Sequence, residues 1–453
     1  MNKDRFGNPH APALPYARGR ILTSTEDDFR KLRQCWSIIR THGPASVFVF
    51  TGLEHGLAMT AEEIQWADDE LAPAIYLDRL KALTLQHLGG SEEFHDIAVF
   101  NRLTGATLAT HLTLVRPGDV VVGVSASHSH PTVIRAAALA GARFVDTVGV
   151  DEFARALERE PAVALVVLTR LAVTYELMPL DAIRTAVKLA HDKNARVYVD
   201  DAGGARVAPA AFDHPRMLEL GVDLGATGLD KYGTIGPRFG LMAGDKTLVG
   251  QIRAKGFECG LEARPMLYAA VVRTLEQYRP ERVRELIAST RRVADALRPI
   301  VGARLHETPT TAQLLADDLL TIAMERGGVN EPPIVPYEAA AAFCMILLED
   351  HRMLTVHFVG MPPGTANILF KFVRPETLER FGGPDKVAHA VDSALTRLGR
   401  LLREPERIKH LLFGDALKGT KTDDEARGGR NPRRQDGRGE RKVRWLKRSA
   451  RTK

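Results

Sequence analysis

Four short stretches of this 453-residue chain carry residue types that could do chemistry together. In ATGLDKYGTIGPRFG, Ala226–Gly240, Lys231 follows an apolar run and lies among Gly228, Gly233, Gly236 and Gly240. Glycines let a ligand approach the backbone closely. A lysine in a loop with so little other charge suits a desolvated amine of lowered pKa that can form an imine. In VYVDDAGGA, Val197–Ala205, an apolar strand pattern ends in Asp200 and Asp201. Acidic residues at the carboxyl end of a parallel strand lie where α/β folds bind ligands. Magnesium binding by an NTPase would need GxxxxGK[ST], and the chain contains no Gly-Lys dipeptide. Capping of the next helix is the plain alternative for Asp201.

The third stretch is NRLTGAT, Asn101–Thr107. Thr104, Gly105 and Ala106 would put amides and a hydroxyl at a helix N-terminus, an arrangement that binds phosphate. Ordinary helix capping explains the same Thr-Gly pair. The fourth is SHSHP, Ser127–Pro131. His128 and His130 could ligate a metal, but no third ligand stands at metal spacing, so no metal site is expected. A histidine ring stacked on an aromatic cofactor is more economical, and capping of the following helix is the alternative.

These stretches need elements to hold them. Ile97–Phe100, Val120–Val124, Arg143–Val145, Val163–Leu168 and Arg196–Val199 read as strands. Helical patterns at Gly105–Val115, Pro131–Ala140, Asp151–Glu158 and Leu180–His191 separate them. Strands spaced by helices of this length argue for βαβ units and a largely parallel sheet covered on both faces. Upstream, a helix is expected over 22–42, a short strand over Ser46–Phe50 and a helix over Leu77–Leu88. Downstream, 265–300 reads as long helix. Residues 330–414 read as a smaller α+β region with helices at Glu338–Leu348 and Lys386–Leu402 and strands at Leu354–Phe358 and Ile368–Phe372.

Composition excludes several classes. Apolar residues make up 45% and charged residues 26%, ordinary globular usage. No apolar run is long enough to span a bilayer, and Met1–Arg20 has no signal-peptide core. Cys35, Cys259 and Cys344 are too few and too scattered for a disulfide framework, so a reducing cytoplasm is the expected home. The net charge of +6 is unevenly placed. Lys418–Lys453 holds 14 Lys or Arg against five Asp or Glu, a net of +9, which leaves −3 on the rest. This tail lacks apolar periodicity and cannot offset its ordering entropy, so residues 415–453 are expected to be disordered. A solvated tail is the plain reading, and a tether for nucleic acid or an acidic partner is the functional one.

Together the four stretches resemble a pyridoxal-phosphate site of the aspartate-aminotransferase fold (fold type I). Within that superfamily the chain is similar to the selenocysteine synthase (L-seryl-tRNA selenium transferase) family, above all to uncharacterised archaeal proteins grouped with it. The likeness runs from about Phe48 to Pro280. It is carried by FTGLEHG, VFNRLTGATLA, GVSASHSHP, VDDAGGARV, GATGLDKYGTIGPRFGLMAG and LEARPMLYAAVVRTLEQY. The resemblance implies an α/β fold with a mostly parallel seven-stranded sheet in a large domain over 46–264. An arm at 1–45, a smaller α+β domain over 265–414 and the tail would complete the chain. It implies Lys231 as the Schiff-base lysine, Asp200 as partner of the pyridinium nitrogen, His128 rather than His130 as the stacking ring, and Thr104, Gly105 and Ala106 on the phosphate. It also implies at least a homodimer.

The chain departs from that family at its anion-binding arginines. Gapless matching puts His55 at one such position and Cys259 and Glu262 at two others, and a thiol and a carboxylate cannot replace guanidinium forks. About 45 residues precede the core, short for a tRNA-binding domain, so tRNA is a possible but not favoured partner. The expectation is therefore a pyridoxal-phosphate lyase or transferase. It would act on an amino substrate by β-elimination or replacement, with Arg264 or Arg238 on a substrate carboxylate. An aminotransferase is the chemical alternative, and a nucleic-acid-associated protein working through its tail is the alternative of another class.

Overall fold

Seven strands form the central sheet, in the spatial order His95–Phe100, Gly240–Asp245, Leu224–Gly228, Arg196–Asp200, Leu165–Leu168, Val120–Ser125 and Arg143–Val148. The computed structural model describes residues 2–414 apart from 13, 58 and 356–365, so the basic tail lies outside the described residues. Six strands run in one direction, and Gly240–Asp245 alone is antiparallel to both its neighbours. The sequence explains the arrangement. Leu165–Leu168 reads Leu-Val-Val-Leu and is buried at every position, as a strand must be when helices cover both faces of a parallel sheet. One face buries Leu80, Val122, Val166, Phe153 and Ile183. The other buries Val121, Leu165, Val167, Tyr198 and Met242. Period-two alternation thus sends neighbouring residues of one strand into two separate cores.

The parallel direction puts six strand ends on one edge. Phe100, Ser125, Val148, Leu168, Asp200 and Gly228 each end a strand there, and the four chemistry-bearing stretches follow Phe100, Ser125, Asp200 and Gly228. That edge is where sheets of this kind bind ligands. The N-terminal FTGLEHG segment runs along the lysine loop, through bridges Leu53 to Lys231 and His55 to Gly236.

Outside the large sheet, expectation and structure differ at definite points. The helix expected over 265–300 is two helices, Tyr268–Glu276 and Pro280–Val301. Pro280 disfavours helical backbone at the residue before it, and Arg279 is extended at φ −134°, ψ 125°. Leu305–Thr308 and Thr311–Leu314 form an antiparallel hairpin that Ile368–Lys371 extends to three strands. Helix Ala316–Gly327 follows it. Phe48–Phe50 pairs in parallel with Met353–Thr355, so the short apolar run near the N-terminus is completed by a strand from near the C-terminus. Among the described residues no helix is long and apolar enough to cross a membrane.

Candidate active site

Lys231 leaves the end of Leu224–Gly228 and turns back into the edge of the sheet. Its Nζ donates to Asp230 Oδ1 at 2.9 Å. A Cβ on Gly228 would stand 2.5 Å from that nitrogen, so only glycine leaves the amine room. Burial lowers the Lys231 pKa, although the Asp230 charge opposes the shift. Burial alone would raise the Asp230 carboxyl. The Lys231 charge and hydrogen bonds from His55 and Lys231 outweigh it and hold Asp230 well below the usual carboxylate range. Asp230 Oδ2 faces His55 Nε2 at 3.2 Å and Arg238 Nε at 3.3 Å. One buried carboxylate therefore gathers a lysine, a histidine and an arginine.

Asp200 and Asp201 adjoin in sequence but have different environments. Asp201 forms a fully buried ion pair with Arg170, whose Nη1 also donates to Pro215 O at 2.7 Å. It caps no helix: the helix Gly204–Ala211 begins after Gly203 with no side-chain cap. The capping alternative for Asp201 is thus replaced by a structural ion pair. Asp200 is also buried, yet its Oδ1 has no hydrogen-bond partner among the described residues. Burial, with the Asp201 charge added, pushes the Asp200 carboxyl up to about 6, against a smaller lowering by Lys231. A buried acceptor without a donor is costly. A donor such as a protonated pyridine nitrogen would satisfy Asp200, so these residues fit the group the sequence points to.

The SHSHP loop is pinned from two sides. The Ser129 hydroxyl and amide donate to Asp146, at 2.7 Å and 3.1 Å for the shortest contacts. Ser127 Oγ lies 2.6 Å from Thr174 Oγ1. His130 caps helix Pro131–Leu139, its Nδ1 accepting from the Thr132 amide at 3.1 Å. Burial pushes the His130 ring down to about 4, with the charges of Lys231 and Arg135 adding to the effect, so it is neutral near pH 7. Capping occupies His130, and half-buried His128 is the other ring of the loop.

At the third stretch the helix starts at Leu103, two residues before the expected Gly105. The amides of Gly105 and Ala106 both donate to Arg102 O, at 2.9 and 3.2 Å. Thr104 is exposed at this helix start, and the amides of Leu103 and Thr104 belong to the first turn, which has no intrahelical acceptors. Gly105 packs closely, since a Cβ there would stand 2.8 Å from Asn101 Oδ1 and 3.3 Å from Leu261 O.

The two candidate carboxylate-binding arginines separate. Arg238 belongs to the Asp230 cluster. Arg264 is exposed and pairs with Asp69 on the surface, not with Asp230. Two contributors escape notice in the sequence, Asp230, masked by its neighbour Lys231, and Arg206; His55, noted there only as a departure from the family's arginine, reaches the site from 175 residues away. Arg206, fully buried, donates to the carbonyls of Lys231, Ala202 and Gly228 and to Thr227 Oγ1, which ties the aspartate strand end to the lysine loop. An arginine amid the small residues of DDAGGARV is the signal that could have found it.

No protein-family model matches the chain. Among solved structures it is similar to alanine–glyoxylate aminotransferase from Nostoc (16% identity, TM-score 0.53, covering 77% of this chain and 95% of that one). It is also similar to a SepCysS–SepCysE N-terminal domain complex (14%, TM-score 0.55, 78% and 95%). These likenesses, with the seven-stranded sheet, establish the aspartate-aminotransferase-like fold type I. A relative from Methanosphaera stadtmanae, a UPF0425 pyridoxal phosphate-dependent protein, is 29% identical over 344 residues, 75% of this chain and 86% of that protein. Another, from Methanothermobacter thermautotrophicus, is 31% identical over 381 residues, 83% of this chain and 94% of that protein. With a lysine, an unsatisfied aspartate and a pinned histidine loop on one sheet edge, the chain belongs to the UPF0425 pyridoxal phosphate-dependent protein family.

Proposed function

We propose that this chain is a pyridoxal-phosphate enzyme, a lyase or transferase that acts on an anionic amino substrate by elimination or replacement at the β-carbon. The observation that carries the reading is the pair of part-buried Lys231 and buried Asp200, the first with its amine on Asp230 and the second with an unsatisfied oxygen. When bound, the cofactor supplies an electron sink for charge developing at the substrate α-carbon. Lys231 would hold the cofactor covalently and, once released, move the proton at that carbon. Asp200 would accept the pyridine N–H, and His128 would lie on the ring face. The first turn at Leu103 and Thr104, with Gly105 and Ala106 behind it, would receive the phosphate. Arg238 and His55, both only part-buried and both on Asp230, would turn to a substrate carboxylate when it arrives. Transamination would use the same groups, and a product assay on amino-acid substrates separates the two.

Assembly is part of the proposal. Leu57, Ile64, Trp66, Leu71 and Ile75 are exposed large apolar side chains on the segment after His55, and Ile235 of the lysine loop is exposed as well. Gly56 packs against Ile235, so the two groups adjoin. A second copy of the chain would cover them, and light scattering should give at least a dimer.

Borohydride reduction of the yellow holoenzyme followed by peptide mapping tests the central claim. The cofactor should be fixed to the peptide containing Lys231. Asp200→Ala should keep that adduct and lose most turnover, whereas the principal effect of Asp201→Ala should be on stability. An adduct on another lysine would sink the reading.

A further inference from the structure

Behind the lysine loop lies a second lysine. Lys371 ends the strand Ile368–Lys371 of the three-stranded sheet and is 5% exposed. Its Nζ donates to Tyr175 Oη and, at 3.1 Å, to Tyr232 Oη, and these two hydroxyls lie 2.8 Å apart. The ammonium also stands over both rings, at 4.8 and 5.5 Å from the centroids. Among the described residues no carboxylate lies within ion-pair distance of it. A buried charge held only by phenol oxygens and ring faces is an unusual choice where an apolar side chain would pack at lower cost.

The backbone around it is equally unusual. Six described non-glycine residues have positive φ, and three of them meet here: Tyr175 at 71°, Tyr232 at 46° and Phe372 at 45°. Phe372 stacks on Tyr232 with centroids 3.7 Å apart and planes 18° from parallel. Gly203, in the aspartate stretch, is the only kind of residue that leaves room for the Tyr232 ring, since a Cβ there would overlap it. Left-handed backbone at bulky residues persists only where the surroundings over-determine it, and it gathers at functional sites. Tyr232 directly follows Lys231. The neighbouring strand adds a second link, because Gln313 Nε2 donates to Thr174 O at 2.8 Å, and Thr174 in turn holds Ser127 of the histidine loop.

We propose that Lys371 is a positioning residue for Lys231. Through the Tyr175 and Tyr232 hydroxyls it holds Tyr232 in the left-handed conformation that aims the preceding residue into the site, so the three-stranded sheet sets the direction of the reactive amine. This rests on Lys231 being the cofactor lysine. Tyr232 cannot relax toward ordinary backbone while its hydroxyl is bound and its ring is clamped between Gly203 and Phe372. Lys371 is not one of the residues gathered by Asp230, and its effect runs through Tyr232.

The test compares wild type with Lys371→Met, which keeps length and removes the charge, and with Tyr175→Phe and Tyr232→Phe, which keep the rings and remove only hydroxyls. Hydrogen exchange is followed on cofactor-free protein. Amides of 229–236 should exchange about tenfold faster in Lys371→Met and Tyr232→Phe, while those of Val120–Ser125 stay as in wild type. In the loaded proteins the induced circular dichroism of the cofactor band should change sign or lose most of its amplitude. If Lys371→Met fails to fold, the two phenylalanine variants decide alone. Unchanged exchange and an unchanged band in the folded variants overturn the proposal. So does faster exchange spread evenly over the whole sheet, which would mean plain destabilisation. Borohydride mapping of wild type keeps the two claims apart: an adduct away from Lys231 removes the functional reading itself, whereas an adduct on Lys231 with unaltered variants removes only the role of Lys371.

Discussion

Two lysine–aspartate pairs, one near the N-terminus and one at the sheet edge, share the same chemistry and differ in what surrounds them. Asp28 accepts from Arg18 at 2.8 Å, from Lys31 at 3.4 Å and from the Tyr337 hydroxyl. The side chains of Arg18 and Lys31 are 13% and 1% exposed, so this carboxylate is sealed by groups that cannot leave it. The Tyr16 ring stacks on Tyr337 at 4.4 Å, and Glu338 accepts from the Ile21 and Leu22 amides at 2.5 and 2.8 Å. The network fastens the chain before residue 40 to helix Pro336–His351. Asp230 also has three partners, Lys231, His55 and Arg238, but His55 and Arg238 are 42% and 38% exposed, and beside the cluster Asp200 keeps an unsatisfied oxygen. A closed charge network builds scaffold, and a network with partly exposed partners and a spare acceptor is ready for a ligand.

The sharpest way to break this contrast is to remove each lysine. Lys231→Ala should abolish borohydride trapping of the cofactor and cut turnover by about 10²- to 10⁴-fold, with a melting temperature close to wild type once both are cofactor-free. Lys31→Met should do the opposite. It leaves Asp28 buried with one partner fewer and should lower stability by about 3 kcal/mol in urea titration, while folded protein still traps the cofactor. Loss of trapping in folded Lys31→Met would collapse the distinction.

Next in size is the pH response of Asp200. Its folded pKa is raised to about 6 by burial, so its favourable contribution is complete below the ordinary carboxylate pKa and is lost as pH climbs through 6. Cofactor-free Asp200→Asn should match wild type near pH 4 and exceed it above pH 7, by about 3 kcal/mol, while its turnover is largely lost. Denaturation curves at pH 4, 6 and 8 check this, and parallel stability profiles for the two proteins would count against a buried, unsatisfied Asp200.

Smaller effects separate the arginines. With an amino acid that the enzyme turns over, Arg238→Gln should raise KM about tenfold, equivalent to about 1.4 kcal/mol, with kcat nearly kept. Arg264→Gln should change neither constant, because that side chain is spent on Asp69 at the surface. The smallest effect is expected from deleting Lys418–Lys453. Trapping and turnover should be unchanged, and any tRNA affinity of the full chain should fall steeply across a salt series. tRNA binding by the truncated protein at high salt would move the substrate question back to the sheet-edge site.

What the sequence makes legible follows from the range of the forces involved. The alternation of Val120–Val124, Val163–Leu168 and Arg196–Val199 with helical patterns is local, and it yields the parallel sheet and the edge that holds Lys231 and Asp200. The role of Asp201 is not local. Only the fold brings Arg170 to it, so capping and ion pairing look alike in one dimension. The hairpin at 305–314 is hidden because its strands are four residues long, with too few alternations to register. Pro280 marks the break in 265–300, but the apolar period on either side of it reads through. The pairing of Arg264 with Asp69 is likewise not local and is made only by the fold.

One pairing has a consequence in time. Phe48–Phe50 lies against Met353–Thr355, Leu53 bridges Lys231, and Tyr232 is held by Lys371. On the ribosome the first strand waits for a partner made roughly 300 residues later, an interval of about 15–60 s at 5–20 residues per second. For the last part of that wait, once Arg238 has been made, the nascent chain holds both halves of the charged cluster, with nothing from the C-terminal third to orient them. The charged cluster therefore meets its orienting contacts only after Met353–Thr355 and Lys371 have been made.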